Sequence, residues 1–510
     1  MTEANIATSL DPIDWRELRR DGHRMLDDMF DHLETLRDQP VWRAPSQVSL
    51  GDIREPMPRQ PAPLRDVHAQ FMRSILPFSS GNAHPGFMGW VQGGGTPVGM
   101  LADMLAAGMN ANLGGRHHMP IELERQMLDW IRDMFGFPAT ATGLFVTGTS
   151  MANLLGVLVA RTRMLGVSVR SRGLVASGRR LTAYASAAAH GCIARAMEIV
   201  GFGRDQLRLI PTDAEHRIQI AALRIAIAAD RANGNEPFLL IGTAGTVDVG
   251  ATDDLQTLAD IAAESRLHFH IDGAFGALAI LAPELAANLI GIERADSLAF
   301  DWHKWGQVPY DAGYLLVRDG ELHRQTFAAD AAYLRRAERG LAGGDWWPCD
   351  YGLDLSRGFR ALKTWFTVKT LGTDAIGNSI TQTVSLARHL ADLVIAEPRL
   401  ELLAPVPLNI VCFGVRGIDA CQRNAEIVAE LHEAGRVAPS LTAIGGRTAI
   451  RAAIVNHRTT VEDIVALVDS VLAFDSSSCE GSPRNSNSTR AFTMAGAFAG
   501  IAAEPAAGDC

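Results

Sequence analysis

Apolar residues recur at helical spacing from Trp15 to Leu36, which predicts an amphipathic helix. Prolines then crowd the stretch REPMPRQPAPLRD, which reads as an extended connector. From about residue 96 the pattern changes. Pro120 opens a second helix in which Leu123, Met127, Ile131 and Met134 share one face. TGLFVTGTS reads as a strand and a turn, and MANLLGVLVARTR as the helix after it. LTAYASAAAH, FLLIGTAGTVDVG, RLHFHIDGAFGA and DSLAFDWHKWG read as further apolar strands running into loops.

Strands alternating with helices imply an α/β domain with a mainly parallel sheet covered on both faces. Ligands of such sheets bind beyond the carboxyl ends of the strands. The expected organisation is an N-terminal helical segment over 1–95, a large domain over 96–375 and a small α+β domain over 376–474. The small domain has strands near LNIVCFGV and RTAIRAAIV. The tail over 475–510, which begins SSSCEGSPRNSNSTR apart from its first residue, is poor in apolar residues and is expected to be disordered.

Composition narrows the function. The chain has 510 residues and a formal net charge of -10 without a basic block, which argues against nucleic acid or an anionic membrane as partner. No apolar run reaches bilayer length, and the N-terminus lacks a signal-peptide pattern. The six cysteines show no CxxC spacing, so reduced thiols in the cytoplasm are expected, with no structural zinc. There are only three lysines, Lys304, Lys363 and Lys369.

Lys304, in DWHKWG, follows an apolar strand and is flanked by aromatic residues, where desolvation favours a nucleophilic amine. Asp272, in HFHIDGAFGA, is an acid at a buried strand end and needs a cationic partner. Thr147, Gly148, Thr149 and Ser150 lie between strand and helix, where backbone N–H groups and hydroxyls suit a phosphate. His190 ends the segment LTAYASAAAH and could stack on a ring or move a proton. Each residue also has an ordinary structural use: a snorkelling lysine, a capping aspartate, an N-cap turn, a histidine bonded to backbone. His268, His270 and Asp272 alternate and could share one face, but a metal site there competes with a better use for Asp272.

Taken together, HPGFMGW, LADMLAAG, PIELERQMLDW, TGTSMANL, HIDGAFGA, DWHKWG and RGFRALKTWF resemble the pyridoxal-5'-phosphate (PLP)-dependent group II amino-acid decarboxylases in order and spacing over about residues 15–470. The resemblance implies PLP fold type I, the aspartate-aminotransferase-like architecture, as a homodimer whose N-terminal segment packs on the partner subunit. It implies that Lys304 carries the cofactor covalently, Asp272 pairs with the pyridine nitrogen and His190 stacks on the ring. Gly148, Thr149 and Ser150 match the phosphate loop, Thr246 a threonine beside the cofactor, and Ala274 and His303 further cofactor contacts. Tyr333 matches a loop tyrosine that protonates the carbanion in the neighbouring subunit's site. Trp90, Asn110 and Asn112 are the candidate substrate contacts, and NANLGGRHH is more polar than an aromatic-lined wall. Many relatives read NPHKW where this chain has DWHKW; Asp301 would repel a phosphate unless it turns away, and so is left out of the expected site.

The expected reaction is therefore decarboxylation of an L-amino acid, aromatic by family weight, with acidic or polar substrates open. The alternatives are an oxidative aldehyde synthase or aminotransferase of the same fold, and a non-enzymatic binding protein.

Overall fold

The computed structural model describes residues 9–329 and 335–477. Tyr333 and almost all of the C-terminal tail lie outside the described residues. Twelve strands occur among the described residues: β1 Phe87–Met88, β2 Thr142–Val146, β3 Leu181–Ser186, β4 Leu207–Ile210, β5 Glu236–Thr243, β6 His268–Asp272, β7 Ser297–Asp301, β8 Gly313–Val317, β9 Leu400–Leu402, β10 Ile410–Val415, β11 Ala438–Ile444 and β12 Arg447–Ala453.

Seven of them form the large sheet, in the order β2-β8-β7-β6-β5-β3-β4. The pairs from β7 through β6, β5 and β3 to β4 are parallel. β8 is antiparallel to both β7 and β2, so β2 runs in the same direction as β7. The carboxyl ends of β2, β3, β5, β6 and β7 therefore open on one edge. Strands β3, β6, β7 and β8 are buried at every position, which explains why β7 and β8 read as near-continuous apolar runs, while in β6 the alternating polar residues are buried as well. Close backbone approach is part of this packing. A side chain on Gly313, which opens β8, would fall within 2.4 Å of Gly148.

The small sheet has the order β1-β11-β12-β10-β9. Its first strand is Phe87–Met88, parallel to β11, so the segment expected to be helical and irregular supplies an edge strand to the C-terminal unit. Two residues carry too little periodicity to announce a strand. The first helix, Trp15–Glu34, forms as the pattern predicts, capped by Asp14. It buries no residue fully and leaves Trp15, Leu18, Met25 and Phe30 exposed.

Candidate active site

The strand ends meet in a cavity of about 360 Å³ lined by, among others, Lys304, Asp272, His190, Thr149, Asp301 and Tyr310. Gly148, Ser150, Ala274, His303 and Trp90 also line it. Most of the residues picked out in the sequence thus converge, although they lie far apart along the chain.

Asp272 closes β6 and is 3% exposed. Its Oδ1 accepts the Ala274 N–H at 3.2 Å, and its Oδ2 accepts Asn153 Nδ2 at 3.0 Å. A carboxylate only accepts, so the amide nitrogen of Asn153 must face it and the amide oxygen must face away. That oxygen is 2.8 Å from His270 Nε2, which therefore carries a proton. His270 Nδ1 then accepts from Ser297 Oγ at 2.7 Å, and Ser297 Oγ accepts from His268 Nε2 at 2.8 Å. Burial lowers the pKa of His268 to about 4 and of His270 to about 3, so both rings are neutral near pH 7. Gly156 makes the room: a side chain there would lie 2.7 Å from the His270 ring. The alternation of His268, His270 and Asp272 thus builds a directed hydrogen-bond chain, not a metal site. Burial raises the Asp272 pKa, opposed by the charges of Lys304 and His190 and by its hydrogen bonds. Asp272 makes no ion pair among the described residues, and a cation set beside it would hold it ionised.

Asp301, which closes β7, does not turn away. It is 2% exposed and lies inside the cavity. Its Oδ1 accepts the Thr149 N–H at 2.8 Å, and its Oδ2 is 3.0 Å from Lys304 Nζ and 3.6 Å from His303 Nε2. Lys304, expected as a partly desolvated amine at a strand end, thus has a carboxylate partner. His303 Nδ1 accepts the Ala312 N–H, and its ring packs against Tyr310 at a tilt of 39° with centroids 4.3 Å apart. Burial lowers the His303 pKa, with the Asp301 charge opposing.

Some expectations move. His190 does not end β3, which stops at Ser186; it sits in the following loop, its Nδ1 accepting the Cys192 N–H at 3.2 Å. Thr246 does not line the cavity: its hydroxyl accepts the Ala251 N–H, and Thr243 takes the lining position at the end of β5. Asn110 ends the helix Pro97–Met109 in a left-handed conformation. Asn112 accepts from Gly114 N–H and Arg357 N–H and lines a separate cavity with Gly115 and Arg116. Neither asparagine lines the cavity that holds Lys304. Cys192, a cavity residue with no advance signal, has its thiol pushed up to about 12, chiefly by burial.

The pyridoxal-dependent decarboxylase conserved domain matches residues 48–416. The aromatic-L-amino-acid decarboxylase of Bacillus atrophaeus is 33% identical over 469 residues, 90% of this chain and 95% of that one. The chain belongs to the pyridoxal-dependent decarboxylase family. It is an amino-acid decarboxylase that uses PLP, which excludes the non-enzymatic reading. The phenylacetaldehyde synthase of Arabidopsis thaliana is also similar, 28% identical over 87% of this chain and 93% of that one. Among solved structures, Oryza sativa TDC with PLP and tryptamine matches with a TM-score of 0.85 at 26% identity, covering 92% of this chain and all of that one. Fold type I is thereby established.

The cavity fits this decarboxylase cofactor chemically. Thr149 Oγ1 is buried without a hydrogen-bond partner at the start of helix Thr149–Leu165, where a phosphate would use it. A lysine amine and a buried carboxylate lie in the same cavity. Two supporting residues were missed. Asn153 lies one helical turn after Thr149 and is a polar residue in an apolar run; that spacing was the available signal. Tyr310 had none, being set by a loop rather than a period.

Proposed function

We propose that this cavity is the decarboxylation site. Lys304 would carry PLP covalently, Asp272 would hold its ring nitrogen protonated, and His190 would cover the ring. Gly148, Thr149 and Ser150 would receive the phosphate, with Ala274 and His303 completing the wall. When bound, PLP supplies an electron sink for the pair left behind as the carboxylate departs. The observation that carries this reading is the convergence of Lys304, Asp272, His190 and the start of helix Thr149–Leu165 in one cavity. The chain from His268 to Asn153 keeps Asp272 oriented, and burial keeps its two histidines uncharged. Trp90, half exposed at the mouth, offers an apolar face to a substrate side chain.

An aromatic L-amino acid is the favoured substrate, supported by the similarity to aromatic-L-amino-acid decarboxylase and by Trp90. A homodimer is supported by the uncovered apolar residues of helix Trp15–Glu34. In that dimer Asn110, Asn112 and Tyr333 would act on the neighbouring subunit's cavity, with Tyr333 delivering the proton that completes amine formation. A cytoplasmic setting accords with the free thiols of Cys192, Cys349, Cys412 and Cys421, and no described helix is long and apolar enough to cross a membrane.

The second reading, oxidative aldehyde formation, is raised by the similarity to phenylacetaldehyde synthase. A panel of L-amino acids assayed for carbon dioxide, amine and peroxide separates the two. The expected products are carbon dioxide and amine from an aromatic substrate, with little peroxide. Tyr333→Phe is expected to lose amine and gain aldehyde and peroxide. Unchanged amine from the variant would remove Tyr333 from proton delivery, and peroxide matching carbon dioxide in the wild type would favour the second reading.

A further inference from the structure

We propose that Asp301 sets how strongly this chain distinguishes the phosphorylated cofactor from its unphosphorylated form, by competing with the phosphate for the same donors. This rests on the cavity being the PLP site. The first N–H of helix Thr149–Leu165 is the natural donor for a phosphate, and it already donates to Asp301 Oδ1 at 2.8 Å. The nearest ammonium, Lys304 Nζ, is 3.0 Å from the other carboxylate oxygen. One buried carboxylate thus engages both positive features at this end of the cavity.

A dianion arriving at Thr149 meets a fixed negative charge where little water can screen it. It must either share the Thr149 N–H with Asp301 or displace it. At the ring end Asp272 is held by Asn153 and Ala274 and makes no hydrogen bond or ion pair with Asp301, although it feels the charge of Lys304. Asp301 therefore acts on the phosphate selectively. An amide at the same place would remove the repulsion and add a donor.

The test uses pyridoxine 5'-phosphate and pyridoxine, which lack the aldehyde and so cannot bond to Lys304. Calorimetric titration of the full-length, cofactor-stripped chain yields the ratio of their affinities. For Asp301→Asn the preference for the phosphorylated probe is expected to rise about tenfold or more over wild type, with pyridoxine binding nearly unchanged. Asp301→Ser, which removes the charge with a smaller side chain, is expected to move the ratio in the same direction. An unchanged or smaller ratio in both variants would overturn the role of Asp301, as would equal losses for both probes, the mark of a merely structural residue. Failure of every protein to bind either probe would instead overturn the cavity as the cofactor site.

Discussion

Asp272 and Asp301 end neighbouring parallel strands, β6 and β7, and both are buried carboxylates in one cavity. Their surroundings are opposite. Asp272 rests on neutral groups: an amide, a backbone N–H and, behind them, two uncharged histidines bridged by a serine. Asp301 rests on an ammonium and a helix N-terminus. The first is a carboxylate with which no described residue forms an ion pair, and the second has its positive partners already. Residue type and strand position are the same; the residues one layer behind decide what each acid can do.

The sharpest break in this comparison is Asp272→Asn. The variant is expected to retain bound cofactor but lose about a hundredfold or more in kcat, roughly 3 kcal/mol of barrier lowering. Cofactor absorbance and kcat measured on the same preparation check this, and a near wild-type rate would remove Asp272 from the role. If Asp301→Asn reproduced that loss with cofactor content intact, the two acids would not differ as described.

A smaller effect is expected one layer back. Asn153→Leu leaves both Asp272 Oδ2 and the His270 Nε2–H without their partner, each an unsatisfied buried group costing about 1–3 kcal/mol. Denaturation should show that loss. A roughly tenfold fall in kcat with little change in KM, together with an altered pH dependence of the bound-cofactor spectrum, would mark positioning rather than packing alone. Asn153→Gln, which keeps the amide, should recover part of the spectral behaviour. A spectrum and kcat unchanged in Asn153→Leu would detach the relay from Asp272.

The smallest effect is on stability against pH. His268, His270, His323 and His457 have folded pKa values of about 4, 3, 3 and 4, all below the 6.5 of an unfolded histidine. Between those values and about pH 6.5 the unfolded chain holds more protons at these sites, so stability falls as pH is lowered. Asp253, raised to about 6, and Asp272, also raised, act in the opposite direction above the usual carboxylate range. With His32, His84 and His303 also lowered and Asp103 and Asp350 also raised, seven histidines outweigh four acids among the described residues, and each net proton contributes about 1.4 kcal/mol per pH unit. Melting temperature should therefore drop steadily from pH 6.5 to 4.5. His323→Phe, outside the cavity lining and among Phe327 and Tyr351, should flatten that slope. A flat profile in the wild type would contradict neutral buried rings.

Much of this was legible in the sequence where a period or a run carried it. The helix on Trp15–Glu34, the strands ending at Asp272 and Asp301 and the turn at Gly148 follow from apolar spacing, and the scarcity of lysine singled out Lys304. Asp301 was misjudged because its charge was weighed against a phosphate alone. Lys304 lies only three residues further along the chain, but the Thr149 N–H that also holds Asp301 becomes its neighbour only through the sheet order. Thr243 was invisible for the same reason: the strand places it, but only packing shows what it faces. Phe87–Met88 forms a strand because β11 offers an edge 351 residues later, which no local pattern announces.

The central claim is that Lys304 is the cofactor lysine of this decarboxylase, and three lysines make it directly testable. Borohydride reduction of the loaded enzyme locks the cofactor to its amine, and mass spectrometry of the digested chain locates it. The account predicts a single modified peptide containing Lys304, in DWHKWG, and none on Lys363 or Lys369. Modification of either residue in RALKTWFTVKT, or an unmodified Lys304 in fully loaded enzyme, would contradict it.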